Sequence, residues 1–164
     1  MRFLKGFKYA FTGVLYAINH ERNMRIHIAV AAYLLYFINY YRLSAIKMSL
    51  LLIMIALVMC LELVNTAVER VCNLYSTKYN RLIEIAKDVS AGAVLVAAGF
   101  AVAVAVFLLW EPDTLWNIVV FHCTSPERFT LFVLTLVIAV LFVVIGPKGM
   151  LENAKSFFDK NAKK

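Results

Sequence analysis

Two glutamates and an asparagine close a long apolar run in the stretch Glu62-Leu-Val-Asn65-Thr66-Ala-Val-Glu69. Carboxylates accept protons and bind hard cations, and a carboxamide offers a donor and an acceptor, so these residue types suit proton transfer or metal-assisted chemistry. An ionisable group near the bilayer centre costs about 2.5–3.5 kcal/mol on insertion scales, less toward the interface, which makes it a functional-site candidate by default. On an α-helix Glu62, Asn65 and Glu69 stand at i, i+3 and i+7 on one face, and Asn73 extends the stripe by one turn. At a rise of about 1.5 Å per residue the carboxylates lie roughly 10 Å apart along the axis, too far for both to hold one ion unaided. One can bind metal while the other does something else. The competing reading is a polar lock in which Asn and Glu hydrogen-bond to neighbouring helices; it suits a single buried Asn better than the whole stripe.

The elements that carry this stripe are set by composition. In a chain of 164 residues, 63% are hydrophobic and the mean hydropathy is +0.78, which excludes an ordinary soluble domain and predicts an all-α integral membrane protein. Apolar runs fit spans at 26–41, 44–68, 89–110 and 129–146, with the second and third continuing as helix beyond the hydrocarbon. Residues 1–25 are basic and interrupted by charges, so no cleavable signal peptide is expected. Of the 17 Lys and Arg residues, all but Arg42, Lys47 and Arg128 fall before the first span, between the second and third, or after the fourth. The positive-inside rule then puts both termini and the 70–88 loop in the cytoplasm. The net charge of +7 is accounted for by this topology and by anionic headgroups, and no basic domain for nucleic acid is present.

Taken in order, Phe3, Phe7, Phe11, Val14 and Ile18 with Arg2, Lys5 and Lys8 predict an amphipathic helix in the cytoplasmic interface. Glu21-Arg22-Asn23-Met24-Arg25-Ile26-His27 turns the chain into the first span, and Glu21 can pair with Arg25 at i+4. Tyr33, Tyr36, Phe37, Tyr40 and Tyr41 read as an interfacial belt. Leu43-Ser44 caps the next helix. Cys60, Cys72 and Cys123 have neither zinc spacing nor a disulfide pattern. Residues 73–80 are polar and turn-like. The third helix opens with Arg81, Glu84, Lys87 and Asp88, and its Ala93, Ala97, Ala101 and Ala105, with Gly92 and Gly99, allow close helix approach. Residues 111–128 read as an outer loop with little chemistry, and the tail from Gly146 as a weakly ordered surface segment.

A Ser/His/Asp constellation, a Gly-rich phosphate loop and a Cys/His cluster are all missing from the sequence. What remains, carboxylates with an Asn, a Lys and an Asp at one end of a helical bundle, can run phosphoryl transfer: Mg²⁺ takes oxygen ligands and bridges phosphates, while a second carboxylate accepts the proton of an acceptor hydroxyl.

The run Glu62 to Glu69, followed by Ala86-Lys87-Asp88-Val-Ser-Ala-Gly92-Ala-Val-Leu, resembles the signature of the small bacterial diacylglycerol kinase family, and Glu21-Arg22-Asn23-x-Arg25-Ile-His27 resembles its undecaprenol kinase branch. The match covers about residues 5–110. The resemblance implies an ATP-dependent lipid kinase in a bacterial inner or plasma membrane, with a surface helix, three spans and a homotrimer whose subunits share active sites. Residues 1–110 are then the lipid kinase membrane domain, and 111–164 add a fourth span, an outer loop and a basic tail. By the same resemblance Glu62 is the general base, and Glu21 and Glu69 are the carboxylates that hold Mg²⁺. Asn65, Glu69, Lys87 and Asp88 belong to the ATP site, and Tyr9 and Tyr79 are further nucleotide contacts. The sequence departs from the family where Asn73 replaces an aspartate, Lys78 a glutamate and Asn80 a histidine, making the nucleotide loop more positive. Undecaprenol is the preferred acceptor and diacylglycerol the alternative. A catalytically weakened interaction protein and a small transporter with Glu62 as proton relay are the competing functions.

Overall fold

The computed structural model describes residues 2–75 and 80–162, and the side chains of residues 3–75 and 80–153. Among the described residues there is no strand. The order is α1 (Arg2–His20), α2 (Arg22–Phe37), a 3-10 turn (Ile38–Tyr40), α3 (Ala45–Tyr75), α4 (Arg81–Leu109), α5 (Pro112–Cys123) and α6 (Pro126–Ala162). Long apolar runs become helices here because lipid offers no partner to a backbone N–H or C=O, and an α-helix satisfies both within one segment.

Among the described residues three helices are long and apolar enough to cross a membrane: α3, α4 and the Pro126–Asn153 part of α6. The integral membrane fold expected from the sequence is therefore present. The expected first span is shorter than the others, with 16 helical residues in α2 and three in the 3-10 turn. At about 1.5 and 2.0 Å per residue the two together rise roughly 30 Å, the thickness of the hydrocarbon. By contrast α3 and α4, with 31 and 29 residues, rise about 46 and 43 Å and exceed it.

Helix starts follow local chemistry. Ser44 caps α3, its Oγ 3.4 Å from the Lys47 N–H it accepts. Asn80 caps α4, accepting the Leu82 N–H at 2.9 Å. Both α5 and α6 begin with proline, whose missing N–H costs nothing at the first helical position. The segment read as an outer loop is thus partly helical. Pro112 fixes φ, Asp113 places negative charge in the first turn, and Thr114 Oγ1 donates to Glu111 Oε2 at 3.0 Å. The tail also differs from expectation, because helix resumes past Gly146 and continues to Ala162.

The chain forms two compact units, one of residues 1–29 with 122–164 and the other of residues 30–121. The second contains the α3–α4 hairpin. Its buried residues are Leu51, Val58, Glu62, Asn65, Thr66 and Cys72 on α3 with Val94 and Ala97 on α4; apart from Thr66, which adjoins Asn65, they follow three-, four- and seven-residue steps, the spacing by which two helices share a seam. Of the apolar stretches, 28% of α3 is buried inside the chain, against 11% in α4 and 6% in α6. The most enclosed helix is the one that carries the polar stripe. The first unit holds α1, the start of α2, and α6. The apolar stripe Phe3, Phe7, Phe11 and Val14 of α1 is exposed, as a helix lying in an interface requires.

Candidate functional site in the α3–α4 hairpin

The stripe predicted from spacing lies along the buried seam of α3. Glu62 is 1% exposed, Asn65 5% and Thr66 6%, and Glu69, one turn on from Asn65, is half-buried. Thr66 Oγ1 donates to the Glu62 carbonyl at 3.0 Å, a back-bond that turns the hydroxyl away from the carboxylates. From Asn65, Nδ2 reaches Glu69 Oε1 at 3.4 Å. The opposite end of the same amide accepts from Ser90 Oγ of α4 at 2.6 Å, and Ser90 Oγ also lies 2.9 Å from the Lys87 carbonyl. A hydroxyl has one proton, so Ser90 serves one of these acceptors at a time. When it serves Asn65, the amide presents its N–H face to Glu69 and holds that carboxylate as an acceptor.

Lys87 stands on the same face of α4, three residues before Ser90. Its Nζ donates to Asn73 Oδ1 at 2.7 Å. Asn73 thus supplies a neutral partner, and this contact leaves the ammonium charge uncancelled. Asp88, the next residue on α4, is exposed. Asn80 has a local role as the α4 cap. Lys78 and Tyr79 lie outside the described residues.

The hairpin therefore brings together Glu62, Asn65, Glu69 and Lys87, with Asp88 beside them in sequence but turned outward. Tyr9 and Glu21 belong to the other unit. Tyr9, on α1, is 71% exposed. Glu21 is half-buried at the break between α1 and α2, its N–H bonded to the Ala17 carbonyl at 2.8 Å and its carbonyl accepting the Arg25 N–H at 3.4 Å.

Ser90 is the polar contact that reading the sequence did not single out. Its signal was available: it stands three residues after Lys87, so it shares that residue's helix face. Beside the seam, Leu57 and Leu61 of α3 with Gly92, Ala93, Val96 and Phe100 of α4 line an open apolar groove of about 630 Å³.

Among the described residues no three His, Cys, Asp or Glu side chains gather into a metal cage. The separate carboxylates instead offer hard oxygen donors singly, the manner in which Mg²⁺ is held when phosphates and water complete its shell.

A sequence profile of the family described as prokaryotic diacylglycerol kinase matches residues 8–109, which contain every candidate residue above. A protein named diacylglycerol kinase from Synechocystis is 44% identical over 110 residues, covering 66% of this chain and 63% of that protein. One named undecaprenol kinase from Bacillus subtilis is 37% identical over 97 residues, covering 59% of this chain and 79% of that relative. The chain belongs to the prokaryotic diacylglycerol kinase family.

Proposed function

We propose that the chain is an ATP-dependent lipid kinase of the bacterial inner or plasma membrane, working from the cytoplasmic side, as a homotrimer, on a lipid alcohol. The observation that carries this reading is the polar seam: a buried carboxylate, Glu62, one turn from an Asn65–Glu69 pair that α4 ties down through Ser90, with Lys87 alongside.

In this reading the hydroxyl of the lipid attacks the γ-phosphorus of ATP. A new P–O bond forms, the bond to the bridging oxygen of ADP breaks, and the hydroxyl proton passes to Glu62. Mg²⁺, when bound, would neutralise charge on the phosphate oxygens. Glu69 and Glu21 would hold it, Asn65 would keep Glu69 oriented, and Lys87 and Asp88 would face the nucleotide with Tyr9 and Tyr79. Enclosure of Glu62 and Asn65 strengthens their electrostatic contacts relative to water. The apolar groove beside Leu61 and Ala93 suits the hydrocarbon of the acceptor.

Undecaprenol is the acceptor favoured by the Glu21–His27 run. Diacylglycerol is the second reading, favoured by the 44% identity to the Synechocystis protein. The test is phosphorylation of both alcohols by labelled ATP, side by side in mixed micelles, with Glu62→Gln as the blank. Label on undecaprenol above the blank supports the first reading, and label on diacylglycerol alone supports the second. Label on neither, from protein whose trimeric state has been verified, would overturn the kinase assignment and favour a non-catalytic membrane interaction protein.

A further inference from the structure

Arg25 is a buried cation for which the chemistry above has no use. It is 8% exposed, and its guanidinium meets three backbone carbonyls from two distant parts of the chain. Nη1 donates to Ile18 O and Asn19 O, each at 3.2 Å. These carbonyls lie in the last turn of α1, where a helix leaves its acceptors without helical donors and where a positive charge is favoured. Nε donates to Val143 O of α6 at 3.0 Å.

The Val143 carbonyl is available for a specific reason. In a continuous helix it would accept the N–H of residue 147, but that residue is Pro147 and has no N–H. The chain also leaves the helix at Gly146, with φ 77 and ψ 165, a conformation open essentially to glycine alone. Glycine is needed there twice, because a Cβ at 146 would stand 3.2 Å from Arg25 Nη1. Arg25 thus collects three carbonyls, each released by a helix end or a helix break. The planar fork of arginine reaches such a set where the single ammonium of lysine would not.

Glu21 sits inside this set of bonds. Ile18 and Asn19 precede it, Arg25 follows it, and its own carbonyl accepts the Arg25 N–H. We propose that Arg25 clasps the break in α6 to the α1–α2 elbow and so fixes the Glu21 backbone, which makes the fourth span a positioning element for the Glu21 carboxylate. The role of Glu21 rests on the lipid-kinase reading; the clasp rests on the geometry alone. The helix so recruited, α6, lies wholly beyond the family match, which ends at residue 109.

The experiment reads the two parts separately. Spin labels at the exposed positions Lys8 and Val140, in the full chain with its three cysteines replaced by alanine, report the α1–α6 distance. Arg25→Gln attacks the clasp from the elbow and Gly146→Ala attacks it from α6, so a folding defect in one does not remove the test. A narrow distance distribution in the parent that broadens in both variants is the expected result, and an unchanged distribution in both overturns the clasp. In the same variants the Mg²⁺ concentration for half-maximal lipid phosphorylation should rise about tenfold, the scale of losing a residue that orients a metal ligand. Turnover should recover at saturating Mg²⁺. A broadened distance with unaltered Mg²⁺ dependence, or a turnover loss that Mg²⁺ does not restore, overturns the positioning role and leaves the kinase reading intact. No phosphorylation by the parent chain would remove the kinase reading and the positioning role together, while the distances still decide the clasp.

Discussion

In the α3–α4 hairpin side chains answer side chains: Ser90 to Asn65, Asn65 to Glu69, Lys87 to Asn73. At the α1–α2 elbow one side chain, Arg25, answers three backbone carbonyls. The difference separates chemistry from mechanics. A network of side chains changes its charge and proton affinity with each substitution, so it can be tuned for a reaction. A clasp on carbonyls senses where helices end and break, and so depends on the residues that make the break, Gly146 and Pro147.

That contrast can be broken at several points. Glu62→Gln should lower turnover by about 10²–10⁴-fold, the usual worth of a general base, while nucleotide-dependent thermal stabilisation persists. Glu69→Gln should lower both turnover and that stabilisation, since in the lipid-kinase reading it alters a nucleotide-side carboxylate; equal loss of nucleotide binding in the two variants would erase the distinction between their roles. Asn80→Ala should cost about 1 kcal/mol of stability, the typical worth of an N-cap, read as an earlier unfolding midpoint in detergent. Ser90→Ala should cost about 1 kcal/mol as well, for one hydrogen bond lost in the seam, but with a raised KM for ATP that Asn80→Ala does not share. The smallest effect is expected from Asn73→Asp. It converts the Lys87 contact into an exposed ion pair worth about 0–1 kcal/mol, and its gain should fade as salt is raised.

Much of the hairpin was legible in the sequence because local periodicity governs it. Glu62, Asn65 and Glu69 share a face whatever else the chain does, and Ser44 before an apolar run reads as a cap. The α5 helix was missed although Pro112 and Asp113 mark a helix start, because a run of 12 residues with two aromatics nearby also fits an interfacial loop. Ser90 was passed over as one small polar residue in a stretch of alanines. Arg25 shows the harder limit. Pro147 announces that a carbonyl four residues earlier lacks a donor, yet no local rule says that an arginine 118 positions away supplies it. The spacing with Glu21 offered a nearer partner, and the contact found lies outside any helical period.

The unequal lengths of the helices tie the site to the lipid around it. With 31 residues, α3 rises about 46 Å, roughly 15 Å more than the hydrocarbon it crosses. In the lipid-kinase reading the surplus would let a single helix keep Glu62 at the depth of a lipid hydroxyl while Glu69 and Asn73 stand toward water. Hydrophobic mismatch would then act on the proposed reaction itself. In that reading a thicker bilayer would draw the proposed nucleotide end of the stripe into hydrocarbon and a thinner one would raise Glu62 out of register with its acceptor, so that membrane thickness would set the rate of the proposed reaction.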